Sequence, residues 1–273
     1  MRAARFPRPM GNQTVLYSMP FSHWCVSADR MLAFKGIDHD TAYVPYHDKT
    51  ELIAATGQDY VPTLVMDGKP VMWHDIPDFL ERTVPEPTLY PWGNKGLAAV
   101  IEQWAHAQLE EKVWRYVVTM VPPVLHTEVE RWVFEEMQVR GRGPWHVLLA
   151  RKEEFQKDMM KELGRLDVAL LGREWLLGQP SLADFGVYGS LSPLLTVGES
   201  IPKHMPQLAT WVARIRALGT TEVPPAPARP HRTKRTAPLP SPPRGPSRSP
   251  APTPAGGSTA SGAPRTASPR ARR

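Results

Sequence analysis

Short apolar runs alternate with amphipathic segments through the first third of the chain. Mostly apolar runs of four or five residues, typical of buried strands, lie at residues 14–18, 42–46, 63–66 and 70–73. Apolar positions three or four apart predict helices at residues 24–35, 49–56 and 75–82. Asp67-Gly68 predicts a tight turn between the last two strands. The predicted order is therefore β-α-β-α-β-β-α.

The pattern after the last of these helices is helical. Long amphipathic segments cover residues 97–120, 124–138, 152–171, 181–195 and 205–218. Pro122-Pro123 and the Gly-Pro-rich stretch 141–144 interrupt them. No strand pattern follows Trp73, so the sequence predicts an all-helical second part.

Composition divides the chain further. Residues 221–273 hold 14 of the 31 prolines, ten Lys or Arg and one acidic residue, a net of +9, so the total of +6 leaves the preceding part near −3. Such a segment cannot bury enough apolar area to offset its ordering entropy. We predict an α/β domain at 13–84, a proline-marked linker at 85–94, an all-α domain at 95–220 and a disordered tail at 221–273.

Cysteine usage and charge limit the compartment and the partners. The single cysteine, Cys25, excludes an intramolecular disulfide and suits a reducing cytoplasm. Residues 1–12 hold three arginines without the apolar stretch of a secretory signal, which leaves a transit peptide open. No apolar run approaches the ~20 residues needed to span a bilayer. The tail has no aromatic residue to stack on bases, and the histidines lack metal-binding spacing, so we expect no membrane, specific nucleic acid or metal partner.

Four local features match one family pattern. They are the strand-to-helix segment 17–25 (Tyr-Ser-Met-Pro-Phe-Ser-His-Trp-Cys), Val61-Pro62, Asp67-Gly68 with Ile76 eight residues later, and the helix start 180–185 (Pro-Ser-Leu-Ala-Asp-Phe). Together they resemble the glutathione transferase family over about residues 14–218. The resemblance implies a thioredoxin-like domain that binds glutathione as co-substrate. It also implies a helical domain that shapes the pocket for an electrophilic, mostly apolar substrate, and a homodimer.

Ser22 is the candidate catalytic residue. Ser22-His-Trp-Cys25 occupies the place of the redox Cys-x-x-Cys of glutaredoxin-like proteins. A hydroxyl there can donate a hydrogen bond to the glutathione sulfur, whose free thiol has a pKa of ~8.5. Lowering that pKa by about two units takes ~2.7 kcal/mol, within reach of one charge-assisted bond and a helix N-terminus. The alternatives are that Ser22 only caps the helix and that Ser18 binds the sulfur. We expect Cys25 to be a packing residue.

The resemblance also implies how glutathione is held. Val61-Pro62 matches a Val-Pro whose peptide bond is cis, so that the Val61 backbone pairs with the cysteinyl residue of glutathione. The family places an acidic residue and a serine where this chain has Met72 and Trp73. His74 and Asp75 are the adjacent polar groups that could replace them, although capping of the next helix is the favoured role for Asp75.

The resemblance places the second-substrate pocket at Phe21, Trp104 and Gln108. Trp104, Gln108, Lys112 and Arg115 share one helix face, with a core Trp104 and solvated charges as the favoured alternative. Ser181 and Asp184 are expected to form a structural capping box. Two other functions stay open: a non-catalytic binding or assembly protein on the same fold, and a glutaredoxin-type reductase, against which the lone Cys25 argues.

Overall fold

The computed structural model describes residues 14–218, and its α/β part contains one four-stranded sheet. The strands are β1 (Val15–Ser18), β2 (Asp40–Tyr43), β3 (Thr63–Met66) and β4 (Lys69–Met72). Their order is β2-β1-β3-β4, with β1 parallel to β2 and antiparallel to β3, and β3 antiparallel to β4. Every residue of β1 is buried, as its apolar run predicts for a central strand.

Three helices complete this part and confirm the predicted thioredoxin-like order. They are α1 (His23–Phe34), α2 (Thr50–Thr56) and α3 (Ile76–Thr83). The second strand starts and ends two to three residues earlier than predicted, so Pro45 lies beyond it. A different proline, Pro70, lies inside β4, which is an edge strand. A proline is tolerated there because its missing N–H interrupts no inner ladder.

The rest of the described chain is helical, as predicted. Its α-helices are α4 (Lys95–Trp104), α5 (Glu110–Val117), α6 (Glu128–Arg142), α7 (Trp145–Ala150), α8 (Lys152–Ala169), α9 (Leu182–Thr196) and α10 (Pro206–Arg216). The predicted helix 97–120 is divided, because one π-helical turn, Ala105–Leu109, joins α4 to α5. The sequence prediction missed α7, a six-residue helix directly after Pro144.

Helix α9 lies at the centre, with every residue from Leu182 to Leu194 buried. Two glycines allow its neighbours to come close. A Cβ at Gly189 would lie 2.4 Å from the carbonyl oxygen of His23, and one at Gly186 would lie 2.7 Å from Cγ of Glu102. These close approaches hold the first turn of α1 and the end of α4 against the same helix.

The α/β part and the helical part are joined by a buried carboxylate. Glu130, in the first turn of α6, accepts hydrogen bonds from the Tyr43 hydroxyl at 2.5 Å and from the Tyr46 backbone N–H at 2.9 Å. It also forms a capping box with Thr127. Because these bonds cross from the sheet to α6, the described residues belong to one compact unit. The boundaries 13–84, 85–94 and 95–220 stay a prediction, and the predicted disordered tail, 221–273, lies outside the described residues.

Candidate functional site

Helix α1 begins at Ser22 without a side-chain cap. Ser22 has extended backbone angles, φ −83° and ψ 116°, and its carbonyl oxygen accepts from the Val26 N–H at 3.1 Å. This is the backbone geometry of an N-cap residue. Its hydroxyl, however, makes no capping hydrogen bond to the helix. The alternative that Ser22 serves only as a capping side chain therefore lacks the bond that defines it.

The Ser22 hydroxyl instead lies beside the thiol of Cys25. Cys25 is fully buried, and the Met19 N–H donates to its Sγ at 3.4 Å. Burial raises the pKa of Cys25, and this effect exceeds the opposing hydrogen bonds from Ser22, Met19 and Ser18. Cys25 therefore stays a protonated packing residue, as expected. Ser22 itself is half-buried, so rotation about its χ1 can turn the hydroxyl toward a ligand.

The Val61-Pro62 peptide bond is cis, as the resemblance predicts. It directly precedes β3, whose first residue, Thr63, pairs with Tyr17 near the end of β1. Because β1 and β3 are antiparallel, the start of β3 and the end of β1 lie at the same edge of the sheet. The structure therefore brings Val61 to the edge from which the chain continues to Ser22.

The loop between β4 and α3 differs from one expectation. Asp75 occupies the N-cap position of α3, but its side chain makes no capping hydrogen bond, so the favoured capping role is wrong. Its Oδ2 lies 3.4 Å from Nε2 of His74, and these two side chains are 60% and 49% exposed. The first turn of the helix is closed by the backbone instead: the Phe79 N–H donates to the Asp75 carbonyl oxygen at 2.8 Å. Both polar side chains are therefore accessible to a ligand.

A row of aromatic rings, here called the ring row, connects this loop to the helical part. It consists of His74, Trp73, Trp24 and His106. Centroid separations along it are 5.2 Å, 4.4 Å and 3.5 Å, and the Trp24 and His106 rings are stacked. The row runs from the exposed His74 to the buried His106. Sequence analysis missed it because its members come from three separate elements.

Acidic and basic side chains lie against the inner end of the ring row. Glu102, His106 and Glu110 follow one another at four-residue spacing along α4, the π-turn and α5. His106 Nε2 lies 3.8 Å from Glu102 Oε1, and His23 Nδ1 lies 3.6 Å from Glu110 Oε1. The regular Glu-x₃-His-x₃-Glu spacing was visible in the sequence and could have flagged this cluster.

Burial changes the protonation of these groups. It lowers the pKa of His106 to about 3, and together with the neighbouring His106 it lowers the pKa of His23 to about 3. Burial and the Asp78 charge raise the pKa of Glu102 to about 7. Burial and the Glu111 charge raise that of Glu110 to about 7, against the attraction of Arg142. Near neutral pH the histidines are therefore uncharged and both glutamates are poised to titrate.

The three residues predicted to line the second-substrate pocket have different surroundings. Phe21 is 5% exposed and packs against Tyr46, Trp114 and Phe134 at centroid distances of 5.8 Å, 6.4 Å and 5.9 Å. Trp104 is half-buried against the same core cluster. Gln108 is exposed. Their assignment to a pocket stays a prediction.

Other kinds of site find less support among residues 14–218. No group of three or more His, Cys, Asp or Glu side chains in that range is placed to hold a metal ion. Within the same range, none of the helices has the length and apolar character required to cross a bilayer. A cavity of about 450 Å³ lies between the end of α9 and α10, and none of the predicted site residues lines it.

Known proteins match this chain at two levels. Residues 16–88 match the family described as glutathione S-transferase, N-terminal domain. No curated protein matches the chain in sequence.

Solved structures match over most of the described chain. Glutathione transferase GSTFuA3 of Phanerochaete chrysosporium superposes with a TM-score of 0.68 at 18% identity, covering 78% of this chain and 100% of that one. A glutathione S-transferase of Ceriporiopsis subvermispora in complex with glutathione gives 0.66 at 16%, with coverage of 78% and 100%. Glutaredoxin 2 of Salmonella typhimurium in complex with glutathione gives 0.64 at 19%, with coverage of 76% and 94%. At these identities the likeness shows the fold.

Proposed function

We propose that this chain, whose residues 16–88 match the family described as glutathione S-transferase, N-terminal domain, is a glutathione transferase. In this proposal it binds glutathione across the α/β part and conjugates the glutathione thiolate to an electrophilic, mostly apolar substrate. Glutathione is the co-substrate and no metal takes part. Solved neighbours of the same fold that hold glutathione support the choice of ligand.

One observation carries the proposal. Ser22, at the N-terminus of α1, makes no side-chain capping bond. The chain reaches Ser22 from the end of β1, and the cis Val61-Pro62 peptide bond lies at the same edge of the sheet. A peptide-like ligand lying along that edge can pair with the Val61 backbone as an added strand. Its sulfur then lies near the first turn of α1, where the helix dipole favours an anion.

Ser22 has the catalytic role in this proposal. Its hydroxyl turns from Cys25 to the bound sulfur and donates a charge-assisted hydrogen bond to the thiolate. Lowering the thiol pKa by about two units raises the fraction of thiolate from a few per cent to a majority at neutral pH. Ser18 is the weaker candidate because it is only 6% exposed within β1, whereas Ser22 is half-buried at the helix start.

We assign the γ-glutamyl end of glutathione to His74 and Asp75. Both side chains are exposed at the start of α3, and the Asp75 carboxylate makes no capping bond that a ligand would have to displace. A carboxylate there can accept from the ligand ammonium, and an imidazole can donate to the ligand carboxylate. These contacts would replace the acidic residue and serine that Met72 and Trp73 do not provide.

The second substrate is assigned to the side of the site that faces the helical part. Phe21, Trp104 and Gln108 are the proposed lining, with Phe21 supported from behind by Trp114 and Phe134. Aromatic walls of this kind favour an apolar substrate. A homodimer is also proposed, since Leu97 and Val100 on α4 are 49% and 65% exposed. Light scattering on the purified protein would give its mass.

A non-catalytic binding or assembly protein on the same fold is the second candidate. The ring row favours it, because the Trp73 indole packs on Trp24 where the family has polar anchors for glutathione. Such a protein would have no measurable affinity for glutathione. A calorimetric dissociation constant near or below the millimolar range would count against it.

The experiment for the first candidate measures binding and chemistry together. The wild-type protein should be retained on immobilised glutathione and should conjugate glutathione to a general aryl halide. Ser22→Ala should still be retained but should lose most of its conjugation rate, because binding uses other groups. A wild-type protein that is not retained and shows no conjugation would refute the proposal.

A further inference from the structure

The first turn of α1 faces an acid–base cluster that the proposed function leaves unused. Glu110 Oε1 lies 3.6 Å from Nδ1 of His23, the residue directly after Ser22. We propose that the pair His23–Glu110 accepts the proton that the glutathione thiol loses on binding. This inference rests on the proposed function and extends it, because it assigns a destination to the proton that Ser22 cannot take.

A proton acceptor is required by the chemistry of ionisation. When the thiol ionises, the S–H bond breaks, the electron pair stays on sulfur and a proton leaves. The Ser22 hydroxyl donates a hydrogen bond to the sulfur and keeps its own proton, so it is no acceptor at neutral pH. The proton must therefore pass to bulk water or to a basic group near Ser22. His23 is the first residue of α1 and is the nearest such group along the chain.

Packing places Glu110 beside the same loop. The Phe21 ring stacks near the Trp114 ring at 6.4 Å, so α5 runs along residues 21–23. The His23 and Glu110 side chains are 18% and 15% exposed. The pair is therefore largely shielded but not sealed, which allows a bound thiol or one water molecule to reach it.

Glu110, rather than His23, is the group that retains the proton. The pKa of His23 is about 3, so transfer from a thiol lowered to about 6.5 onto its imidazole is disfavoured by more than a thousandfold. The pKa of Glu110 is about 7, which makes transfer onto its carboxylate nearly balanced. General bases work best when their pKa lies near the operating pH.

The step balances through the imidazole of His23. Nε2 takes the thiol proton while Nδ1 gives its own proton to Glu110 Oε1, once ligand binding shortens their 3.6 Å separation to a hydrogen bond. The imidazole remains neutral in its other tautomer, the glutamate becomes a carboxylic acid and the sulfur becomes a thiolate. Total charge within the site is unchanged, which avoids placing an additional buried charge.

His106 keeps this relay neutral. The Ser190 hydroxyl donates to the Gly186 carbonyl at 2.9 Å, so the 3.4 Å contact between Ser190 Oγ and His106 Nδ1 assigns the proton to Nδ1. His106 Nε2 is then a buried acceptor, and it has no hydrogen-bond partner among the described residues. The His106 ring is 4% exposed and lies 5.0 Å from that of His23, and burial disfavours a positive charge on either ring. π-helical turns such as the one carrying His106 are frequent at functional sites.

The groups that set the titration of Glu110 come from four elements. His23 faces it from α1, His106 lies one turn earlier in the π-turn, Glu111 adjoins it on α5, and Arg142 acts from α6. The Glu111 carboxylate is itself paired with Arg142 at 3.0 Å and with Arg115 at 2.7 Å. Glu111 is therefore a matched comparison: it is the adjacent carboxylate on the same helix and pairs with arginines and not with His23, and it acts on the proton only through its effect on the pKa of Glu110.

The test counts protons released when glutathione binds. Calorimetric titration in two buffers of different ionisation enthalpy gives the number released per ligand bound, here near pH 7.5. We expect wild type to release well under half a proton, because the thiolate formed beside Glu110 raises the pKa of that carboxyl above its unliganded value of about 7, so that Glu110 takes up most of the proton. Glu110→Gln should release most of a full proton, and Glu111→Gln should release more than wild type but less than Glu110→Gln, because loss of the Glu111 charge lowers the pKa of Glu110 without removing its carboxylate.

The outcomes separate this inference from the proposed function. Binding by wild type with release of most of a full proton would overturn the role of the pair and leave the transferase proposal intact. Equal release by wild type and a folded Glu110→Gln would do the same. No binding of glutathione by wild type would overturn both. The number of protons that wild type releases per glutathione bound tests the role of the pair even if Glu110→Gln does not fold.

Discussion

Helices α1 and α9 both begin at a serine, but they use that serine in opposite ways. At α9 the fully buried Ser181 donates to Asp184 Oδ2 from its backbone N–H at 3.1 Å and from its hydroxyl at 2.8 Å. At α1 the half-buried Ser22 makes no side-chain capping bond, and its hydroxyl lies beside the Cys25 thiol instead. A helix start whose serine is bonded within a capping box adds stability, whereas a serine hydroxyl that caps nothing can turn to a ligand.

The buried polar groups around the first turns of α9 and α1 also differ in whether they are hydrogen-bonded. Asp184 also accepts from the Leu176 N–H and from Trp211 Nε1, each at 2.9 Å. Beside the first turn of α1, in contrast, the buried His106 Nε2 lacks any partner within the described residues. Satisfied buried groups are the rule in stable cores, and exceptions point to function. The comparison therefore assigns stability to the start of α9 and chemistry to the start of α1.

The largest effect is expected from Asp184→Ala. It leaves the donors of Leu176, Ser181 and Trp211 buried without an acceptor, and we expect a loss of about 3 kcal/mol or more in the free energy of unfolding. Urea denaturation measures this loss. Asp75→Ala is the control, since that carboxylate is 60% exposed and does not cap α3, and it should cost less than about 0.5 kcal/mol. Equal losses of unfolding free energy in the two variants would contradict the structural role assigned to Asp184.

Glu110→Gln should change how stability depends on pH. The pKa of Glu110 is raised from 4.5 to about 7, so the folded state binds more protons than the unfolded state between these values. Wild-type stability therefore decreases as pH rises from about 4.5 to about 7, by up to about 3 kcal/mol from this group. The variant removes that decrease, so its advantage over wild type should be larger near pH 8 than near pH 5. An advantage independent of pH would argue against a raised pKa.

Gly189→Ala tests the close packing of α1 on α9. Its Cβ would lie 2.4 Å from the His23 carbonyl oxygen and 2.0 Å from Ser27 Oγ, so the backbone must move, at a cost of about 1–3 kcal/mol. Gly164→Ala on α8 is the matched control, because its nearest contact is Met205 Cε at 3.9 Å. That substitution should stabilise by roughly 0.5–1 kcal/mol. Thermal unfolding of both variants distinguishes the two sites.

The smallest effects on stability are expected from Ser181→Ala and Ser22→Ala, which compare the two helix starts directly. Removing the Ser181 hydroxyl should cost ~1 kcal/mol, since it donates within the capping box. Removing the Ser22 hydroxyl should cost less than about 0.5 kcal/mol, since it makes no capping bond. Denaturant midpoints compare the two. A larger loss for Ser22→Ala would mean that its hydroxyl is structural.

Local patterns in the sequence predicted most of the fold. Apolar periodicity gave the order of the strands and helices, and Ser181 with Asp184 predicted a capping box that the structure contains. Short elements and irregular turns were missed, because α7 has only six residues and a π-turn leaves little trace in periodicity.

The candidate site was less predictable from sequence. The cis bond at Val61-Pro62 followed from the resemblance and was confirmed. The expected capping by Asp75 was wrong, because the backbone alone closes the first turn of α3. The contact between Trp24 and Trp73 and the pairing of His23 with Glu110 join residues distant in sequence. Such contacts depend on how the helices pack, and no local sequence pattern predicts them.

The central claim is that the Ser22 hydroxyl stabilises the glutathione thiolate. Its most direct test is a pH titration of the ultraviolet absorbance of bound glutathione thiolate in wild type, Ser22→Ala and Ser18→Ala. We predict an apparent thiol pKa about two units below ~8.5 in wild type and in Ser18→Ala, and a return toward ~8.5 in Ser22→Ala with glutathione still bound. An unchanged thiol pKa in Ser22→Ala would contradict the account.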